Sequence, residues 1–63
     1  MIVNGKNIDL PQQITINELI EKLNLSVDTI VVEVDGKIID KDKYSKKLNN
    51  NNKVEIISFV GGG

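Results

Sequence analysis

Two tight-turn dipeptides, Asn4-Gly5 and Asp35-Gly36, constrain the fold of this 63-residue chain more than any other feature. Each lies between short segments rich in isoleucine and valine. A type I′ hairpin turn needs positive φ at both central residues, which these two pairs adopt readily. The first dipeptide therefore predicts a hairpin over residues 1–10, and the second predicts a strand at 30–34 that returns as a short strand at 37–39.

One segment between the two hairpins has the pattern of an amphipathic helix. Its apolar residues recur at the spacing of a single helix face: Ile16, Leu19, Ile20 and Leu23. Thr15 and Glu18 fit a capping box, in which each side chain bonds the other residue's backbone N–H. Asn24 is suited to the left-handed position at a helix C-terminus. The pattern predicts a helix over about 15–24, packed on the sheet through its apolar face.

The segment 53–60 predicts a last strand. Its alternation breaks at Ile56-Ile57, which is typical of a strand buried on both faces or of a β-bulge. We expect this strand in the middle of the sheet, parallel to the first strand, with the helix as a right-handed crossover.

The segment before the last strand is charged and irregular over residues 40–47. Tyr44 and Leu48 are predicted to anchor it to the core. The asparagines at 49–52 predict a polar turn.

The composition supports an α+β domain in which the sheet outweighs the helix. Ten isoleucines and seven valines stand against five leucines and no alanine, and β-branched residues favour strands. We predict a mixed sheet of four to five strands packed on one helix. The predicted core on the helix side of the sheet is Val3, Ile8, Leu10, Leu19, Ile20, Leu23, Ile30, Val32, Val34 and Ile56.

Several classes of function are excluded by what the sequence lacks. Without cysteine or histidine there are no disulfides, thiolate metal sites or imidazole chemistry. Eight lysines against nine acidic residues leave no basic stripe for nucleic acid, and no apolar run approaches the roughly 20 residues that span a bilayer. The N-terminus also lacks signal-peptide features. We expect a cytoplasmic domain that binds neither nucleic acid nor membrane.

The charged side chains are interpreted as solvated surface. The acidic residues are scattered, and the spacing of Asp40 and Asp42 weakly resembles a metal loop that lacks its distal glutamate. Lysines at 41, 43, 46 and 47 alternate with those acids in a loose basic segment. A solvated loop is the favoured interpretation of that segment, and partner docking is the alternative.

The glycine triplet at 61–63 is the one unusual feature. Glycines at a chain end are commonly a frayed terminus or a linker. The other interpretation begins from Gly63, whose carboxylate sits on an unhindered methylene and would become a good electrophile as a mixed anhydride with AMP. Glycines ahead of it would let the chain enter a slot too narrow for any Cβ. The residues alone leave both interpretations open.

The whole chain resembles the ThiS family, the small ubiquitin-like sulfur carriers of thiamin (thiazole) biosynthesis. The resemblance rests on the order, spacing and total length of four segments: IVNGK at 2–6, TINELI at 15–20, VVEVDGKI at 31–38 and KVEIISFVGGG at 53–63. It implies a β-grasp (ubiquitin-like) domain over residues 1–60 and a flexible tail of Gly61, Gly62 and Gly63.

The resemblance also implies a mechanism in which the chain is not an enzyme and binds no cofactor. A ubiquitin-activating-type adenylating enzyme, using ATP and Mg, adenylates the carboxylate of Gly63. A sulfur donor such as a cysteine desulfurase then supplies the sulfur of a C-terminal thiocarboxylate. Thiazole synthase takes that sulfur into the thiazole ring. Gly62 and Gly63 match the family's diglycine end, and Gly61 matches an additional glycine.

Some positions depart from the family's pattern, and two other classes remain open. Asparagines at 49–52 replace acidic and glycine residues, Asp35 stands where Asn is commoner, and Asp40-Lys41 where Pro-Arg is frequent. The alternatives are a related carrier, of the molybdopterin synthase small-subunit or protein-modifier type, and a β-grasp binding module that is not activated. Under the carrier hypothesis, the sheet face near Ile57 and Phe59 is predicted to dock the partners.

Overall fold

The secondary structure follows the predicted order of hairpin, helix, hairpin and last strand. The computed structural model describes residues 1–59. Its strands are β1 (Ile2–Val3), β2 (Lys6–Asn7), β3 (Ile30–Val34), β4 (Lys37–Ile39) and β5 (Lys53–Ser58). The α-helix is α1 (Ile16–Lys22), and single 3-10 turns cover Val27–Thr29 and Lys41–Lys43.

The five strands form one mixed sheet in the order β2-β1-β5-β3-β4. β5 is parallel to β1 and antiparallel to β3, and both hairpins pair antiparallel. The central position of the last strand and its parallel pairing with the first strand are therefore confirmed. α1 connects β2 to β3 across the sheet, and β5, which follows the second hairpin, lies between β1 and β3.

Both hairpin turns have the backbone conformation that their sequences predict. Asn4 and Gly5 have φ of 51° and 82°, and Asp35 and Gly36 have φ of 52° and 86°. The first hairpin is shorter than predicted, since β1 and β2 have two residues each. One more bond, from the N–H of Ile8 to the carbonyl of Met1 (2.9 Å), extends the pairing beyond β2.

The helix begins at the predicted capping box. The N–H of Thr15 donates to the Glu18 carboxylate (2.8 Å), and the N–H of Glu18 donates to the Thr15 hydroxyl (3.1 Å). The helix ends at Lys22, short of the predicted 24, and Asn24 takes the left-handed conformation with φ of 57°. The N–H groups of Asn24 and Leu25 bond the carbonyls of Glu21 and Ile20, which is the Schellman arrangement.

The core lies between α1 and one face of the sheet. Its buried residues are Met1, Val3, Ile14, Ile16, Leu19, Ile20, Ile30, Val32, Val34, Tyr44, Leu48, Val54 and Ile56. The predicted anchors Tyr44 and Leu48 are confirmed, with exposed fractions of 2% and 1%. Three residues at the ends of their segments are less buried than predicted. Ile8, Leu10 and Leu23 pack against the core but are only half-buried. It also left out Met1, Ile14 and Val54.

The explanation offered for the doublet Ile56-Ile57 was wrong on both counts. Pairing between β3 and β5 is continuous from Val54 to Ser58, so no bulge interrupts it. The second face of the strand is not buried either, because Ile56 packs in the core while Ile57 is 46% exposed. The doublet therefore marks an apolar side chain on the solvent face of a central strand.

Candidate functional site

The predicted reactive end of the chain, Gly61, Gly62 and Gly63, lies outside the described residues, as does Val60. What the structure describes is the strand that leads to it. β5 has hydrogen-bonded neighbours on both sides, and beyond its last residue the N–H of Phe59 donates to the carbonyl of Thr29 (3.1 Å). Backbone pairing therefore holds the chain in the sheet as far as Phe59.

The first turn of the molecule fixes the middle of β5. The N–H of Asn4 donates to the carbonyl of Val54 (2.9 Å), and its side-chain Oδ1 accepts from the N–H of Ile56 (2.8 Å). Asn4 thus continues the pairing of β1 with β5 while its positive φ reverses the chain. An asparagine suits both tasks, because it tolerates the left-handed region and carries an acceptor on a short side chain.

The second turn fixes the beginning of β5. The Oδ1 of Asp35 accepts from the N–H of Lys53 (2.9 Å), and its Oδ2 accepts from the side-chain amide of Asn52 (2.7 Å). The amide of Lys53, and then that of Asn52, hold the pKa of the Asp35 carboxyl below its usual range. Together with a bond from the backbone N–H of Asp35 to the carbonyl of Lys53 (2.8 Å), these contacts join the β3–β4 turn to the residues at which the last strand starts.

The asparagine segment is the polar turn that the sequence predicts. The N–H of Asn49 donates to the Oδ1 of Asn52, and the N–H of Asn51 donates to the Oδ1 of Asn49, both over 2.8 Å. A backbone bond from the N–H of Asn52 to the carbonyl of Asn49 (3.1 Å) closes the turn. These residues shape the approach to β5 through local hydrogen bonds.

The sheet face opposite α1, here called the open face, carries most of the exposed large apolar side chains. They are Ile2, Ile38, Ile57 and Phe59, which are 41%, 68%, 46% and 59% exposed. Pairing places Ile2 beside Lys53, Ile38 beside Glu33 and Ile57 beside Val31. The predicted docking residues Ile57 and Phe59 are thus exposed, and their role in docking stays a prediction.

Sequence reasoning did not include Ile2 and Ile38 in this surface. The signal for Ile38 was available, because a two-residue hairpin loop after Val34 pairs Glu33 with Ile38 and so places both on one face. The signal for Ile2 was also available, because successive strand side chains face opposite sides of a sheet and Val3 was predicted to lie in the core. The open face therefore extends across β1, β5, β3 and β4.

Two glutamates lie directly opposite each other near the centre of the open face. Glu33 of β3 pairs with Glu55 of β5, and together with Gly36 and Lys53 they line a shallow depression. Within residues 1–59 neither glutamate forms an ion pair; the ion pair in this part of the chain joins Lys41 and Asp28 (3.5 Å). In that part of the chain no three acidic side chains are arranged to hold a metal ion.

The backbone of the basic segment supplies hydrogen-bond acceptors for the first turn of the helix. The carbonyls of Lys46 and Tyr44 accept from the N–H groups of Ile16 (3.1 Å) and Asn17 (2.9 Å), which lack partners inside the helix. Burial raises the pKa of the Tyr44 phenol, although a hydrogen bond with the backbone of Val32 acts in the opposite direction. The lysine side chains of this segment are exposed, as expected for a solvated loop.

None of the helices in the described part of the chain, residues 1–59, has the length and apolar content to cross a membrane.

Comparison with known proteins gives a consistent result. The model of the ThiS family matches residues 1–63. Sulfur carrier protein ThiS of Bacillus subtilis is 33% identical over 63 residues, which cover 97% of this chain and 96% of that protein. The thiazole synthase of Paramagnetospirillum magneticum is 28% identical over 64 residues, covering all of this chain. This chain spans only 20% of that second relative's length.

A solved structure shows the same fold. The crystal structure of the thiamine biosynthesis protein ThiS from Geobacter metallireducens matches with a TM-score of 0.77 and 24% identity. The match covers 98% of this chain and 96% of the other. The predicted β-grasp architecture, a mixed sheet packed on one helix, is therefore confirmed.

Proposed function

Because the chain belongs to the ThiS family, we propose that it is a sulfur carrier in thiamin biosynthesis, acting as a protein substrate and not as a catalyst. The observation that carries this proposal is the extent of the family match. It covers residues 1–63, so the β-grasp domain and the glycine end are matched together.

The proposed chemistry takes place at the carboxylate of Gly63. An adenylating enzyme of the ubiquitin-activating type joins this carboxylate to AMP, with ATP and Mg bound by the enzyme and pyrophosphate released. A sulfur nucleophile then attacks the carbonyl carbon, so that a C–S bond forms as the C–O bond to AMP breaks. When the donor is a cysteine desulfurase persulfide, a thiol must also cleave the resulting S–S bond to leave the thiocarboxylate.

The described part of the last strand suits this role. Pairing of β5 with the β3 side of the sheet extends to Phe59, and the four residues 60–63 can span at most about 14 Å when extended. A partner that binds the sheet near Phe59 must therefore hold its reactive centre within that distance. A rigid strand before a short tail limits the positions of the carboxylate once the domain is docked.

The open face is proposed as the docking surface for two partners, the adenylating enzyme and thiazole synthase. Its exposed apolar side chains Ile57 and Phe59 lie closest in sequence to the reactive end. Contiguous exposed apolar surface on a small domain usually marks an interaction site. A relative named thiazole synthase aligns with this whole chain, which supports a link between carrier and synthase.

Intact-mass measurement tests the proposal. The chain is incubated with ATP, Mg, the adenylating enzyme and a sulfur source, and then fragmented from its C-terminus. We expect exchange of one oxygen for sulfur, localised to Gly63. Fragmentation is needed because oxidation of Met1 gives nearly the same nominal gain.

Two variants and one control protein complete the design. Gly63→Ala and deletion of residues 62–63 are expected to fold as the wild type and to lose activation. The adenylating enzyme is first shown to be active on another carrier protein. If it then leaves Gly63 of this chain unmodified, the result favours a binding module that is not activated.

A further inference from the structure

The pairing of Glu33 with Glu55 is unfavourable for the isolated domain. Residues directly opposite in an antiparallel pair have Cβ atoms about 5 Å apart, and like charges there destabilise the sheet. The two strands concerned are β3 and β5, which make the most extensive pairing of the molecule. Both side chains occupy the open face, so neither contributes to the core.

The surroundings of the pair do not neutralise it. Lys53 borders the same depression, but within residues 1–59 neither glutamate forms an ion pair. Ile38 lies beside Glu33, and Val31 and Ile57 form the adjacent pair, whereas Asn4 bonds the backbone on either side of Glu55. The open face thus presents two carboxylates and the Lys53 ammonium group, bordered by the exposed apolar side chains of Ile2, Ile38 and Ile57.

This arrangement is complementary to one kind of partner group. A guanidinium is planar, has five N–H donors and is weakly hydrated, so it can bond two neighbouring carboxylates from within apolar surroundings. A second copy of the same face would instead bring acidic pairs together. The charge pattern therefore favours a different protein with a basic side chain over self-association.

We propose that Glu33 and Glu55 together bind an arginine side chain that projects from an otherwise apolar surface of the adenylating enzyme. This inference rests on the proposed function and specifies how the open face selects its partner. The pair is costly in the free carrier and becomes favourable only when the cation arrives. It acts as a docking determinant and takes no part in the chemistry at Gly63.

Steady-state kinetics of adenylation test this proposal. ATP–pyrophosphate exchange is measured with the adenylating enzyme for the wild type, E33Q, E55Q and the double variant. We expect the double variant to raise the KM for the carrier about ten-fold or more, with little change in kcat, because docking is weakened while the tail is intact. Added salt should raise the wild-type KM more steeply than that of the double variant.

Glu21→Gln is the matched control, because it removes the same charge from an exposed position on α1. It should leave KM unchanged. Urea denaturation should show the double variant to be at least as stable as the wild type, which separates weaker docking from misfolding.

The proposal is overturned if the double variant and Glu21→Gln have the same KM, or if kcat alone falls. A wild-type carrier that supports no exchange with an enzyme active on another carrier would overturn the proposed function itself.

Discussion

The side-chain oxygen of Asn4 accepts a 2.8 Å hydrogen bond from the amide of Ile56, 52 positions further along the chain. The first turn of the protein thereby supports the strand that leads to its proposed reactive end. Since β1 has only two residues, this contact adds to a short parallel pairing. Stability of β5 therefore depends in part on a residue whose local role is to form a turn.

Replacing Asn4 with glycine should destabilise the protein by about 1–3 kcal/mol, because the partly buried N–H of Ile56 loses its acceptor. Glycine accepts the positive φ of this position without strain, so the backbone is not the cause. The free energy of unfolding in urea measures the effect.

Asn24→Gly is the matched control, since Asn24 is also left-handed and its side chain has no hydrogen bond within residues 1–59. Equal losses in the two variants would show that the Asn4 side chain contributes nothing.

The Asp35 carboxylate should make the protein less stable in acid. Its pKa is held below the ordinary 3.8 by the amides of Lys53 and Asn52, so the folded state binds this proton less readily than the unfolded chain. The stabilisation is complete above the ordinary pKa and is lost as the pH falls through the lowered one. Urea midpoints at about pH 6 and about pH 3 should therefore differ less in Asp35→Asn than in the wild type.

Glu18 acts in the same direction, since the Thr15 backbone N–H and hydroxyl lower the pKa of its carboxyl. The loss of stability in acid should accordingly be smaller in Asp35→Asn than in the wild type, but some loss should remain. Asp9→Asn serves as the control, because the Asp9 carboxylate has no hydrogen bond in residues 1–59. Identical pH dependence in the wild type and Asp35→Asn would show that the turn contact is not formed in solution.

The helix cap gives a local test of stability. Thr15→Ala removes the acceptor for the N–H of Glu18 and should cost about 1 kcal/mol of unfolding free energy. Thr15→Ser retains the hydroxyl and should cost much less. Thermal unfolding of the two variants side by side measures the difference. Similar losses would indicate that the methyl group matters more than the capping bond.

Features fixed by adjacent residues were the ones that the sequence could predict. The Asn4-Gly5 and Asp35-Gly36 turns depend on φ preferences of the residues themselves, and the Thr15–Glu18 box depends on a three-residue spacing. Three residues of the helix stripe, Ile16, Leu19 and Ile20, are buried as predicted for the same reason, whereas Leu23 at its end is half-buried. Each signal is complete within a few positions, so no knowledge of the tertiary fold is needed to interpret it.

Features that depend on register between distant strands could not be predicted. Glu33 and Glu55 are both ordinary polar-face residues of their strands until pairing of β3 with β5 brings them together. The burial of Val54 was likewise decided by which face of β5 meets α1. Of the open face, Ile57 and Phe59 were named from the sequence, whereas Ile2, Ile38 and the acidic pair were not.

The open face should be needed for activation but not for folding. Ile57→Ala removes an apolar side chain that is 46% exposed, so its cost in unfolding free energy should be about 1 kcal/mol or less. If this side chain becomes buried against the adenylating enzyme, losing it should raise the KM for the carrier about ten-fold, equivalent to roughly 1.4 kcal/mol. Phe59→Ala should act in the same way, because Phe59 is also exposed on the strand that leads to the tail.

Leu25→Ala is the matched control for Ile57→Ala. Leu25 has a similar exposed fraction of 40% but follows the C-terminus of α1, away from the open face. Its KM in ATP–pyrophosphate exchange should equal that of the wild type. A rise of equal size in Leu25→Ala and Ile57→Ala would contradict docking at the open face, because loss of an exposed apolar side chain from either surface would then raise the KM equally.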